Sequence, residues 1–161
     1  MVAARERQAT VKYVDIAVYS RDDELQLMVE VKSRVDATVG WAAHMRRNMV
    51  AHLGLPRSPF FLLALPDHFY LWRGPASPLD IVPPDYDIDP VPLLADYVDD
   101  AQRALGVISE YGLTLAVSSW LADLVATDVD MEVIPPKYAW LVNSGLYSAI
   151  KSGTVKSQPA L

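Results

Sequence analysis

The chain contains no cysteine. That excludes a disulfide framework, thiol catalysis and any zinc or iron–sulfur centre held by cysteine, and it fits a reducing compartment. Histidine is scarce, at three residues. Two of them, His44 and His52, have no carboxylate neighbour at metal-ligand spacing, so a histidine-rich metal site is not expected. No apolar run approaches the roughly 20 residues that cross a bilayer; the longest is Phe60 to Leu65. Met1 to Thr10 carries Arg5, Glu6 and Arg7 with no apolar h-region. The expectation is therefore a cytoplasmic protein with no signal peptide and no membrane role. There is no glycine-rich phosphate loop, and Ser118-Ser119 lacks a Gly-x-Ser-x-Gly or histidine context, so a P-loop enzyme and a serine hydrolase are both disfavoured.

What is present suits one domain. Apolar residues make up 52% of 161, enough to bury a real interior. The net charge of −6 conceals an asymmetry. Between Lys32 and Arg57 the bases Lys32, Arg34, Arg46, Arg47 and Arg57 face a single acid, Asp36. Between Asp80 and Glu132, acids dominate and Arg103 is the only base. A basic stretch of this kind suits a phosphate backbone, and the acidic half suits solvent or protein contacts.

Hydropathy periods outline the elements. Tyr13 to Ser20 alternates Val14, Ile16 and Val18 with Tyr13, Asp15, Ala17 and Tyr19, which predicts a strand. Leu25 to Lys32 alternates again after the polar turn Arg21-Asp22-Asp23-Glu24, which predicts a β-hairpin. Asp36 and Thr38 can cap a helix to Leu53, ended by Gly54 and Pro56, with Trp41, Met45, Met49 and Leu53 as its buried stripe. Pro59 to Leu65 reads as a buried strand and Phe69 to Arg73 as its return. Residues 75–92, with Pro75, Pro78, Pro83, Pro84, Pro90 and Pro92, read as an irregular connection. Beyond it the expectations are a helix over Leu93–Leu105, a strand over Leu113–Val117, and helices over Ser118–Ala126 and Tyr138–Lys151. A polar, frayed tail from Gly153 completes the reading.

Asp15 lies on the first strand, and Glu30-Val31-Lys32 ends the second on its polar face. This Asp-x14-Glu-x-Lys pattern, followed by an amphipathic helix and a buried strand, resembles the PD-(D/E)XK, or restriction-endonuclease-like, superfamily over about Val11 to Arg73. Val14-Asp15 stands where that family often has Pro-Asp. The residue types also make independent sense. Hydrolysis of an anionic phosphodiester calls for a divalent cation held by hard oxygens, and Asp15 and Glu30 supply two carboxylates. Lys32 projects from the same strand face as Glu30 and can reach an attacking water or the phosphate.

The resemblance implies an α/β fold: a restriction-endonuclease-like small mixed sheet flanked by helices (residues 1–74), the proline-rich connection (75–92), and a mostly helical C-terminal extension (93–161) packed on the same domain. It implies a Mg²⁺- or Mn²⁺-dependent nuclease acting on DNA, with Asp15, Glu30 and Lys32 catalytic. Asp15, Glu30 and the Val31 carbonyl would bind the metal, and Glu6 would stand in for the glutamate that many members carry on a preceding helix. Arg34, Arg46 and Arg47 would contact the DNA backbone. The rival expectation is an inactive module of the same fold that binds protein partners through its acidic half; a homodimer is compatible with either.

Overall fold

The computed structural model describes residues 14–99 and 108–157. Six strands form one mixed sheet: β1 (Ile16–Tyr19), β2 (Leu25–Val31), β3 (Phe60–Ala64), β4 (Phe69–Arg73), β5 (Tyr86–Ile88) and β6 (Thr154–Ser157), in the order β5-β4-β3-β2-β1-β6. Strands β2 and β3 are parallel, and every other neighbouring pair is antiparallel. The hairpin turn between β1 and β2 closes with Asp23 at a positive φ of 64°, a conformation that a short polar side chain tolerates.

A parallel pair needs a crossover, and helix α1 (Val39–Leu53) supplies it. Thr38 caps α1 by accepting from the Trp41 N–H at 3.0 Å, and Gly54 ends it in the left-handed conformation. The buried positions of α1 are Ala42, Ala43, Arg46 and Met49, while Trp41, Met45 and Leu53 are only half-buried. The expected stripe is thus rotated by about one residue. Small alanines let the helix approach the sheet closely, and the larger apolar side chains lie along its flank.

The two faces of the sheet carry separate cores. Under α1 lie Met28, Phe61, Leu63, Tyr70 and Trp72. The opposite face, with Ile16, Val18, Leu27, Val29, Leu62 and Leu71, is covered by the C-terminal half of the chain. Here the structure departs from the sequence reading in several places. Residues 110–126 form one continuous helix, α3 (Glu110–Ala126), capped by Ser109, with no strand at Leu113–Val117. Leu113, Val117, Trp120, Leu121 and Leu124 recur at helical spacing on its buried face, and that burial overrides the local β-branched content. The expected helix over Leu93–Leu105 is only α2 (Val91–Leu94) within the described residues. The last helix is split into α4 (Ala139–Ser144) and α5 (Leu146–Ile150) by Gly145 at φ 88°.

The supposed frayed tail is β6, paired with β1, and β5 lies inside the proline-rich connection. Both are short edge strands that lean on the ladder of a neighbour instead of on their own hydropathy. Gly153 makes the turn into β6 possible, because a Cβ there would meet the Tyr19 carbonyl oxygen at 1.9 Å. No helix among the described residues is long and apolar enough to cross a membrane. The result is a mixed α/β fold in which the C-terminal half completes the sheet that the N-terminal half begins.

Candidate active site

The end of the hairpin brings the acids together. Ile16 pairs with Val29, and the Asp15 N–H donates to the Val29 carbonyl at 3.1 Å, one residue out of that register, so the chain bulges at Asp15 just before β1. The Val31 N–H donates to Asp15 Oδ2 at 2.7 Å. Val31 thus turns its backbone polar groups toward the Asp15 side of β2, since residues of a strand direct N–H and C=O to one neighbour. Lys32 follows with its N–H bonded to the Ala64 carbonyl at 3.1 Å, so the end of β2 is held from both sides.

Glu30 is 9% exposed, the only acid in the buried set among the described residues. Burial pushes its carboxyl up to about 9 from an ordinary 4.5. A hydrogen bond to the Asp15 side chain and the negative charge of Asp15 push the same way, while the Lys32 ammonium opposes them. Near neutral pH Glu30 holds its proton, because burial beside a second carboxylate makes its ionisation costly. A smaller upward push comes from Glu110 in the first turn of α3, on the other layer of the fold. The sequence reading missed Glu110 because it placed a strand over Leu113–Val117. Ser109 as a helix N-cap ahead of it was the available signal.

Asp15, Glu30 and Lys32 are therefore brought together. The donor set suits a small hard cation: two carboxylates and a backbone carbonyl at the end of β2. Among the described residues no group of three or more His, Cys, Asp or Glu side chains is arranged to hold a metal. The protein's own side-chain contribution there is thus the two carboxylates. Glu6 lies outside the described residues.

The three arginines part company. Arg34 is exposed, and its guanidinium lies over the Trp41 ring at 4.6 Å from the centroid. Arg47 is half-buried on α1, and its Nε finds no hydrogen-bond partner among the described residues. Arg46 is 6% exposed, so it does not face the surface as a phosphate contact would. It sits 5.1 Å from the Trp72 ring and 5.9 Å from the Phe61 ring and donates through Nη2 to the Gly74 carbonyl at 3.4 Å. Burial lowers its pKa, and the charge of Asp85 partly offsets that. Arg46 is an internal cation–π anchor that ties α1 to β3 and β4.

A second polar cluster occupies the same end of the sheet. His68 Nδ1 is 2.7 Å from Asp87 Oδ1, and its ring stacks on Tyr70 at 5.2 Å. Asp67 Oδ2 accepts from the Asp36 N–H at 2.8 Å, and Tyr70 donates to the Ala37 carbonyl at 2.8 Å. These bonds hold the loop that runs from Lys32 to Thr38 against the β3–β4 turn. Compared with known proteins, the chain matches no family model, no curated protein and no solved structure.

Proposed function

We propose that this chain is a Mg²⁺-dependent nuclease with a restriction-endonuclease-like core, hydrolysing DNA phosphodiesters at Asp15, Glu30 and Lys32. The observation that carries the reading is the end of the strand pair, where the Val31 N–H holds the Asp15 carboxylate at 2.7 Å beside the buried Glu30, with Lys32 two residues on. Two acids forced together at a cost in stability are what a cation site needs and what a structural surface avoids. The sheet order supports the fold half of the reading. The hairpin β1–β2, the crossover α1 and the parallel strand β3 follow one another as the resemblance implies.

Bound there, a divalent cation would neutralise charge developing on the phosphate and acidify a water. Asp15 and Glu30 would bind it, Glu30 giving up its proton, with the Val31 carbonyl as third ligand. The Lys32 ammonium would donate to the phosphate or hold the attacking water. Arg34, exposed just beyond Lys32, would position the DNA backbone. The rest of the chain fixes these groups: the Val31 N–H orients Asp15, and the Lys32 N–H bond to Ala64 sets where the lysine leaves the strand.

A specific observation favours a second reading, a non-cutting module with protein partners. Leu79 is 86% exposed and Val133 73%, on the half of the chain that carries the acids. Cleavage assays on plasmid and single-stranded DNA in Mg²⁺ or Mn²⁺ separate the two. Cutting by the wild type that is lost in Lys32→Ala supports the nuclease. Wild-type protein that binds the cation and leaves every DNA form intact supports the module.

A further inference from the structure

Along the flank of α1 runs a groove of about 510 Å³ that the proposed site does not use. Its apolar wall is Met45, Met49 and Leu53, and Trp41, Asn48 and His52 stand along it. Among the described residues no carboxylate lines it. Trp41, Met45 and Leu53, expected in the core, are only half-buried here because Ala42, Ala43 and Arg46 take the positions against the sheet. Trp41 lies in the first turn of α1, and Arg34 stacks over its ring. Arg34 is two residues past Lys32, so their Cα atoms are at most about 7 Å apart. From Trp41 to His52 the groove follows the helix for about 16 Å.

We infer that this groove is a base-stacking subsite for unpaired DNA, with Trp41 as the platform, Arg34 as the neighbouring backbone or stacking cation, and the amide of Asn48 facing a base edge. The inference deepens the nuclease reading and rests on it for the choice of DNA. Three features select the occupant. An aromatic face already under a planar cation accepts a second flat ring, since the guanidinium and the indole both stack on bases. Arg34 stands over Trp41 at one end of the groove, and among the described residues no carboxylate lines it, which complements a polyanion. The groove is open along a helix flank, so it can take a flexible strand whose bases turn outward, whereas a stacked duplex would present only its backbone.

Fluorescence anisotropy with a labelled oligothymidylate of about 12 nucleotides, in EDTA so that nothing is cut, tests this directly. Trp41→Leu keeps apolar bulk and removes the aromatic face; it is expected to weaken binding by about 5- to 100-fold, with circular dichroism unchanged. Trp41→Phe, which retains a ring, is expected to lose no more than a few-fold. A duplex of the same length should bind more weakly and respond little to either change. Unchanged affinity in Trp41→Leu overturns the inference, as does absent wild-type binding at micromolar protein. Equal competition by a free mononucleotide, or a wild-type dimer that Trp41→Leu converts to monomer, also overturns it. Cleavage that persists with a Trp41-independent affinity sinks the subsite and leaves the nuclease standing. Trp41-dependent binding without any cleavage sinks the cutting and leaves the subsite.

Discussion

Replacing Glu30 by glutamine should make the protein more stable, and the gain should grow with pH. In the folded state the Glu30 carboxyl is raised to about 9, while in the unfolded chain it returns to about 4.5. Below pH 4.5 both states hold the proton, and the neutral carboxyl stabilises the fold fully. As pH rises from there through about 9, the unfolded chain releases the proton and the folded one resists, so stability falls. Each pH unit in that window is worth up to about 1.36 kcal/mol. From pH 4.5 to pH 7 is two and a half units, so wild-type protein gives up at most ~3 kcal/mol that a neutral isostere keeps. Glutamine at position 30 cannot ionise and can still donate to the Asp15 carboxylate. Glu30→Gln should therefore match the wild type near pH 4.5 and exceed it by up to ~3 kcal/mol at pH 7. For a chain of this size that is a rise in Tm of roughly 6 to 12 °C. Urea and thermal unfolding at pH 5, 7 and 8.5, in EDTA, measure both curves. A gap that stays near zero or shrinks as pH rises would refute the claim that Glu30 is held protonated by burial and by Asp15.

Four further outcomes follow from other parts of the molecule. Arg46→Ala should cost about 2–4 kcal/mol in urea unfolding, because it empties the space beside Phe61 and Trp72 and frees the Gly74 carbonyl. Arg34→Ala should be near neutral by the same measure, within about 0.5 kcal/mol, since that side chain is exposed. Gly153→Ala should detach β6, because its Cβ would overlap the Tyr19 backbone; hydrogen exchange at Ala17 and Tyr19 should then rise far more than at β3. Tyr147→Phe removes a hydroxyl that accepts from the Val129 N–H at 2.9 Å and donates to the Thr127 carbonyl at 2.5 Å. Calorimetry should record a loss of about 1–3 kcal/mol, chiefly from the buried Val129 N–H left unpaired.

The first half of the fold was legible in the sequence because its signals are local. Alternation with β-branched residues marked β1 and β2, Thr38 and Gly54 bracketed α1, and the apolar run before Leu65 marked β3. The hairpin that carries Asp15 and Glu30 on adjacent strands was legible too, from two alternating runs joined by a polar turn, whereas the bulge that turns the Asp15 carboxylate to the Val31 N–H was not. The second half was misread because its structure depends on partners distant in sequence. Leu113–Val117 looks β-prone alone and becomes helix because Trp120, Leu121 and Leu124 continue its buried face. Thr154–Ser157 carries almost no apolar signal and becomes a strand because the free edge of β1 offers it a ladder. Arg46 was misassigned for the converse reason: charge predicts exposure, and nothing local announces that Trp72 and Phe61 receive it.

The central claim is that Asp15 and Glu30 form a divalent-cation site, and titration calorimetry with Mg²⁺ or Mn²⁺ in two buffers of different ionisation enthalpy tests it most directly. Binding near pH 7 should release about one proton per cation, as Glu30 yields its proton, and Glu30→Gln should abolish both the heat and the release. Binding without proton release, or a wild-type protein that takes up no cation at millimolar concentration, would contradict it.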